Sequence, residues 1–128
     1  MFRLLKRERH VLVPSRTAFE PPTDLYETED EVVVRLEIAG LGPTRGRTTV
    51  ELTDDLLTIA GDRGDPAAGA ARHYEQMEIE TGRFERTVRL PAPVDPARAA
   101  AAYDDGFLVI RLPKSQPVRS GPCNVRID

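Results

Sequence analysis

The chain has no tryptophan, and aromatic residues make up only 5% of its 128 positions. Any core must therefore be assembled from Val, Leu, Ile and Ala. A single cysteine, Cys123, rules out an intramolecular disulfide and a multi-cysteine metal site, and it suits a reducing compartment. Long apolar runs are also missing. Near the N-terminus the longest is Val11-Leu12-Val13, too short for a signal peptide and far from the roughly 20 residues of a membrane span. A cytoplasmic protein is expected. The only two histidines, His10 and His73, sit among charged residues, and no Ser–His–acid arrangement has a supporting local motif. Gly40-x-Gly42 is followed by Pro43, which lacks the N–H a phosphate loop needs. Asp54-Asp55 and Asp104-Asp105 fall in turns, where Asp is favoured for backbone reasons. A formal charge of −3 gives no reason to expect nucleic-acid binding. The chain thus reads as a non-enzyme with no cofactor, no metal, no nucleic-acid partner and no membrane partner.

What the chain does have is punctuation. Eleven prolines and nine glycines cut it into short segments and argue against a helical bundle. Residues 1–18 read as a basic arm, with a short helix possible around Phe2, Leu4 and Leu5. Leu25–Thr28 is a short strand. Val32, Val34, Leu36 and Ile38 then alternate with Val33, Arg35 and Glu37, the period of a half-buried strand. Val50 and Leu52, the Asp54-Asp55 turn, and Leu57 and Ile59 read as a hairpin. Residues 61–72 form a loop, and His73–Glu80 resumes with Tyr74, Met77 and Ile79. Phe84, Val88 and Leu90 mark a further strand. Asp95-Pro96 with the alanines after it looks like a helix start, but Asp105-Gly106 is a hairpin turn that needs a strand on each side. One helical turn near 95–98, then strand, is expected. Pro113 ends the domain, and residues 114–128 are a polar tail. Many short strands separated by turns make an all-β sandwich or barrel.

The segments resemble, in order, the small heat shock proteins with their α-crystallin domain. Pro22–Asp30 is similar to the family's opening strand, and Leu57-Thr58-Ile59-Ala60-Gly61 to its L-T-I-x-G. Gly82-Arg83-Phe84-Glu85-Arg86 with Leu90-Pro91 resembles G-x-F-x-R…L-P. Ala101-x-x-x-Asp105-Gly106-Phe107-Leu108 resembles A-x-x-x-N-G-V-L, and Val125-Arg126-Ile127 resembles the tail's I/V-x-I/V. Asp105 and Phe107 stand where the family has Asn and Val. The resemblance implies an immunoglobulin-like β-sandwich over residues 19–113, with the arm before it and the Val-x-Ile tail at 114–128. It also implies an ATP-independent chaperone (a holdase) for partly unfolded client proteins, with a dimer as the building block of a larger homo-oligomer. A non-chaperone binding module resembling the CS-domain co-chaperones is the alternative, and it would lack the tail motif.

The resemblance further implies sites. Edge strands at 47–53 and 98–103 should flank an apolar groove, with Thr48, Val50 and Leu52 on one side and Ala100 and Ala102 on the other. Alternation alone equally allows these residues simply to fill the core. In an extended tail, Val125 and Ile127 point to the same side and suit strand addition into such a groove. Arg86 is in phase with Phe84 and Val88. It is either twisted back to solvent or, as the family implies, paired with a carboxylate across a dimer contact. The long loop should carry His73, Tyr74 and Glu75 to Leu25, Tyr26 and Glu27 of a partner subunit, where Arg63 and Arg72 would meet the acidic run at 24–31.

Overall fold

The computed structural model describes residues 18–42, 47–65, 69, 71–115 and 122–128. The arm and its possible helix at Phe2, Leu4 and Leu5 lie outside them. Alternating apolar residues give eight strands: β1 (Thr23–Glu27), β2 (Glu31–Glu37), β3 (Thr49–Thr53), β4 (Leu56–Arg63), β5 (Gly82–Arg89), β6 (Ala100–Asp104), β7 (Phe107–Pro113) and β8 (Pro122–Val125). They form two four-stranded antiparallel sheets, ordered β1-β2-β7-β6 and β5-β4-β3-β8. The core between the sheets contains Val32, Val34, Leu36, Leu57, Ile59, Phe84, Leu108, Ile110 and Leu112. Only one of these is aromatic, as the composition requires.

Turn chemistry fixes the registers. In the β6–β7 hairpin, Asp105 and Gly106 have φ of 55° and 87°, so both central residues take the left-handed conformation of a type I′ turn. Asp tolerates that region better than most side chains, which explains why it can stand beside the glycine. The expected helical turn is a 3₁₀ turn at Pro96–Arg98, and the Asp95 carboxylate caps it by accepting from the Ala97 N–H. Tyr103 ties β6 to the turn after β2. Its hydroxyl donates to the Ile38 carbonyl at 2.8 Å and accepts from the Leu41 N–H at 3.2 Å.

Gly61 lies in register with Phe84 across the β4–β5 pair. A Cβ there would stand 2.7 Å from Phe84 Cζ. The ring occupies the space a side chain at 61 would need, which accounts physically for the glycine of Leu-Thr-Ile-x-Gly and the Phe of Gly-x-Phe occurring together.

Two features depart from the sequence reading. Val33 is fully buried although it lies on the face away from the core cluster. It sits on an inner strand between Tyr26 and Arg111, two long side chains that flank it. Residues 71–80 form no strand and are exposed, because within one chain they have no strand to pair with.

Candidate functional site

The candidate groove lies between the edges of β3 and β6. Thr48, Val50 and Leu52 are buried on one face as expected, and Val50 and Leu52 also belong to the core. The other wall differs from expectation: Ala100 and Ala102 point outward and are exposed, while Ala101 is buried. The reason is the hairpin. It pairs Ala101 with Ile110 and Tyr103 with Leu108, and cross-strand partners share a face. With Leu108 and Ile110 in the core, the odd-numbered residues of β6 must turn inward. The asparagine-like Asp105-Gly106 turn was the signal that could have given this phase. The inner wall is therefore Ala99, Ala101 and Tyr103.

The tail occupies this groove in its own chain. β8 adds antiparallel to β3, pairing Leu52 with Cys123 and Val50 with Val125. The tail then crosses to the other sheet. Ile127 bridges Ala101 in parallel, the Asp128 N–H donates to the Ala101 carbonyl at 2.7 Å, and the Tyr103 N–H donates to the Asp128 carbonyl at 3.3 Å. Val125 is buried within the core, and Ile127 packs against it partly buried. Asn124 and Arg126 face solvent. The Thr48 hydroxyl, close to Gly61, is buried without a hydrogen-bond partner, alone in this among the described residues.

The residues assigned to a subunit contact are spread over the opposite side. Leu25, Tyr26 and Glu27 lie on β1, whose one strand neighbour among the described residues is β2. His73, Tyr74 and Glu75 are exposed and do not reach β1. Met77 and Ile79 on the same segment are 66% and 78% exposed. The segment, with Arg63 and the turn at Ala39–Gly40, bounds an open apolar cavity of about 660 Å³.

Arg86 keeps the phase of Phe84 and is partly buried. Its carboxylate neighbour is Glu20 of the same chain at 3.9 Å, 72% exposed, which sequence reasoning missed. Within one chain the acidic run is paired with other cations than Arg63 and Arg72, which the sequence reading brings to it from a partner subunit. Asp24 pairs with Arg35 at 3.2 Å, Glu27 with Lys114 at 2.7 Å and Glu31 with Arg111 at 3.0 Å. These cations lie on or beside the neighbouring strands and are nearer than the loop. Arg63 instead donates to the carbonyls of Glu80 and Ala39 and lies over the Phe19 ring, and Arg72 pairs with Asp65.

The pattern of the Hsp20/alpha crystallin family matches residues 24–128. The chain belongs to this family. Among small heat shock proteins, it is 30% identical to small heat shock protein C4 of Rickettsia felis over 96 residues, 75% of this chain and 58% of that one. It is 27% identical to a 17.7 kDa class I heat shock protein of Oryza sativa over 106 residues, 82% of this chain and 65% of that one. The chain thus spans about three-fifths of the length of these relatives. Its fold is similar to that of hspA from Xanthomonas axonopodis, with TM-score 0.66 and 26% identity over 77% of this chain and 96% of that one. It is likewise similar to heat shock protein 16.0 from Schizosaccharomyces pombe, with TM-score 0.65 and 28% identity over 80% and 71%. The α-crystallin sandwich is therefore the fold. Among the described residues, no helix is long and apolar enough to cross a membrane.

Proposed function

We propose that this small heat shock protein is an ATP-independent holdase: it binds partly unfolded proteins and keeps them from aggregating. The observation that carries the reading is the seat of the tail. Val125 and Ile127 fill a groove between two sheet edges as a short extended segment with apolar residues on alternate positions, the mode by which extended peptides add to sheets. An unfolded chain offers the same chemistry, backbone N–H and C=O groups with intermittent apolar side chains. Membership in the Hsp20/alpha crystallin family supports the chaperone role, and the tail speaks against a CS-domain-like module. The working place is the cytoplasm.

The building block in this reading is a homodimer. Exposed Tyr74 and its neighbours His73 and Glu75 reach the free edge of a partner's β1 at Leu25, Tyr26 and Glu27, with Arg86 at the contact. Larger homo-oligomers form when tails seat in the grooves of other chains. The small heat-shock protein from Xylella fastidiosa, described as having a distinct high order structure, lends support to such assembly. Burying Val125 and Ile127 contributes roughly 1.5–3 kcal/mol each, against an ordering cost of about 1 kcal/mol or more per residue. One tail is therefore a weak ligand, and exchange is fast enough to expose grooves. Light scattering of several heated model clients, with and without ATP, tests the function. Suppression independent of ATP is expected, and no suppression of any client at equimolar chain would refute it.

A further inference from the structure

The open cavity of about 660 Å³ lies away from the groove, at the end of the sandwich where β4 leaves and β5 begins. Its walls include Tyr74, Met77 and Ile79 of the long segment, Ala39 and Arg63. The volume falls within the roughly 300–1,000 Å³ that encloses a few apolar groups. The chain enters the fold beside this cavity. Phe19 bridges Phe84 in parallel, and its ring lies 4.9 Å from the guanidinium of Arg63, the side chain that also lines the cavity. Parallel pairing fixes a direction. Moving upstream from Phe19 corresponds to moving from Phe84 back to Gly82 and Thr81, and Thr81 is itself part of the cavity wall. A chain continued upstream on that course leads into the cavity.

We propose that the occupant is the arm of the same chain, with Val11-Leu12-Val13 seated against Met77 and Ile79. Residues 14–18 separate Val13 from Phe19, which gives a reach of up to about 20 Å. The charges agree. Residues 1–17 carry Arg3, Lys6, Arg7, Arg9 and Arg16 against Glu8 alone, whereas residues 73–81 carry Glu75, Glu78 and Glu80 and neither lysine nor arginine. A segment on so short a tether meets its site at an effective concentration on the order of millimolar, so a chain's own arm outcompetes that of a neighbour present at micromolar concentration. The consequence rests on the dimer in the proposed function and adds its regulation. A seated arm holds residues 73–79 on their own chain, while the contact with a partner's β1 calls on His73, Tyr74 and Glu75. Seating and dimerisation therefore oppose one another, and by linkage each weakens the other equally.

Cys123 is the only cysteine, so Cys123→Ser gives a thiol-free full-length chain into which pairs can be placed. One chain carries Leu12→Cys with Met77→Cys, an exposed position whose replacement spares the fold. A control carries Leu12→Cys with Ala102→Cys, exposed on β6 in the other sheet. Both are oxidised with copper phenanthroline, separated on a non-reducing gel and checked by mass spectrometry. A disulfide within one chain is expected for the first pair, formed several-fold faster than in the control. Links predominantly between chains would give the cavity to a second copy. Equal rates in the two chains, or no link, would show that the arm does not seat there. Each of these overturns the proposal. Sedimentation velocity then compares the parent chain with Leu12→Glu, which puts a carboxylate against the acidic segment. A several-fold tighter dimer is expected in the variant, and an unchanged dimer overturns the coupling. A parent chain that forms no dimer at any concentration, with the link within one chain intact, removes the dimer reading and leaves the seated arm standing.

Discussion

Replacing Gly61 with alanine tests whether the β4–β5 contact is as close as the structure makes it. A Cβ at 61 would lie 2.7 Å from both Phe84 Cζ and Thr48 Oγ1, and 3.0 Å from Phe84 Cε2. Comfortable carbon–carbon contact begins near about 3.5 Å. Phe84 is fully buried, so its ring can retreat only by pushing into the core. Overpacking of this kind costs about 1–3 kcal/mol. Removing a glycine from the unfolded chain returns about 0.4–1 kcal/mol. A net loss of about 1–2 kcal/mol follows, seen as a fall in melting temperature of about 3–10 °C for a domain of this size. The control is Gly42, where an added Cβ meets nothing within 4 Å and φ is not positive. Gly42→Ala should be neutral or stabilise slightly. Thermal unfolding by far-UV circular dichroism, at one fixed chain concentration because assembly shifts the midpoint, compares the two. Adding Phe84→Leu to Gly61→Ala should cost less than the separate losses combined, since the smaller side chain relieves the clash. If Gly61→Ala is as mild as Gly42→Ala, the contact does not limit packing and the account of the Gly–Phe pairing is wrong.

Thr48→Val should stabilise the fold by about 1 kcal/mol, because it removes a buried hydroxyl without a partner; a lower denaturant midpoint with unchanged m-value would contradict that. Tyr103→Phe deletes hydrogen bonds to Ile38 and Leu41 and should cost about 1–3 kcal/mol in the same titration; no measurable loss would show that the tie is not maintained in solution. Arg86→Ala should cost the monomer fold less than about 1 kcal/mol, since its Glu20 neighbour is distant and exposed, yet weaken the dimer at least tenfold in sedimentation velocity. Arg89→Ala, whose Asp55 pair is exposed on the opposite face, should leave the dimer unchanged, and equal behaviour of the two variants removes Arg86 from the contact.

The sandwich was legible in the sequence because three independent signals agree: period-two alternation in β2, β3, β5 and β7, turn residues between the strands, and strand-sized spacing. Val50, Leu52 and Thr48 followed from alternation directly. β6 was harder. Its run of alanines carries no hydrophobic contrast, so alternation cannot choose a face, and Ala100 and Ala102 were placed inward in error. Only the pairing through Asp105-Gly106 to Leu108 and Ile110 settles the phase. The segment at 71–80 is a different case, because the sequence reading gives His73–Glu75 a strand partner in another subunit. Tyr74, Met77 and Ile79 have strand-like composition, but a strand exists only where a neighbour supplies hydrogen bonds, and this chain offers none there. The extended form of the tail, with Val125 and Ile127 packed toward the core, follows the alternation of its residues. That it would seat in its own chain was not legible, because sequence spacing does not reveal that the end of β7 lies within eight residues' reach of β3.

A holdase has to display apolar binding surface without becoming aggregated itself, and unpaired strand edges are where that conflict is sharpest. This sandwich treats its edges unequally. Phe19 bridges to Phe84 beside β5, its N–H donating to the Arg83 carbonyl and its carbonyl accepting from the Glu85 N–H. That edge is blunted by a residue that also packs against the core. β3 and β6 are covered by the tail, which contributes one buried side chain, Val125, and one partly buried, Ile127. Among the described residues the outer sides of β1 and β8 have no strand neighbour, and of these two β1 is the one that belongs to the sandwich rather than the tail. It is only five residues long, and it carries Asp24 and Glu27, each held by a cation of its own sheet. A short, charged edge resists indiscriminate strand addition while still accepting a partner whose side chains match it. The division of labour follows from these costs. The edge beside β5 is blunted by Phe19, the short charged edge of β1 suits the proposed subunit contact, and the edges of β3 and β6 are the ones the tail covers.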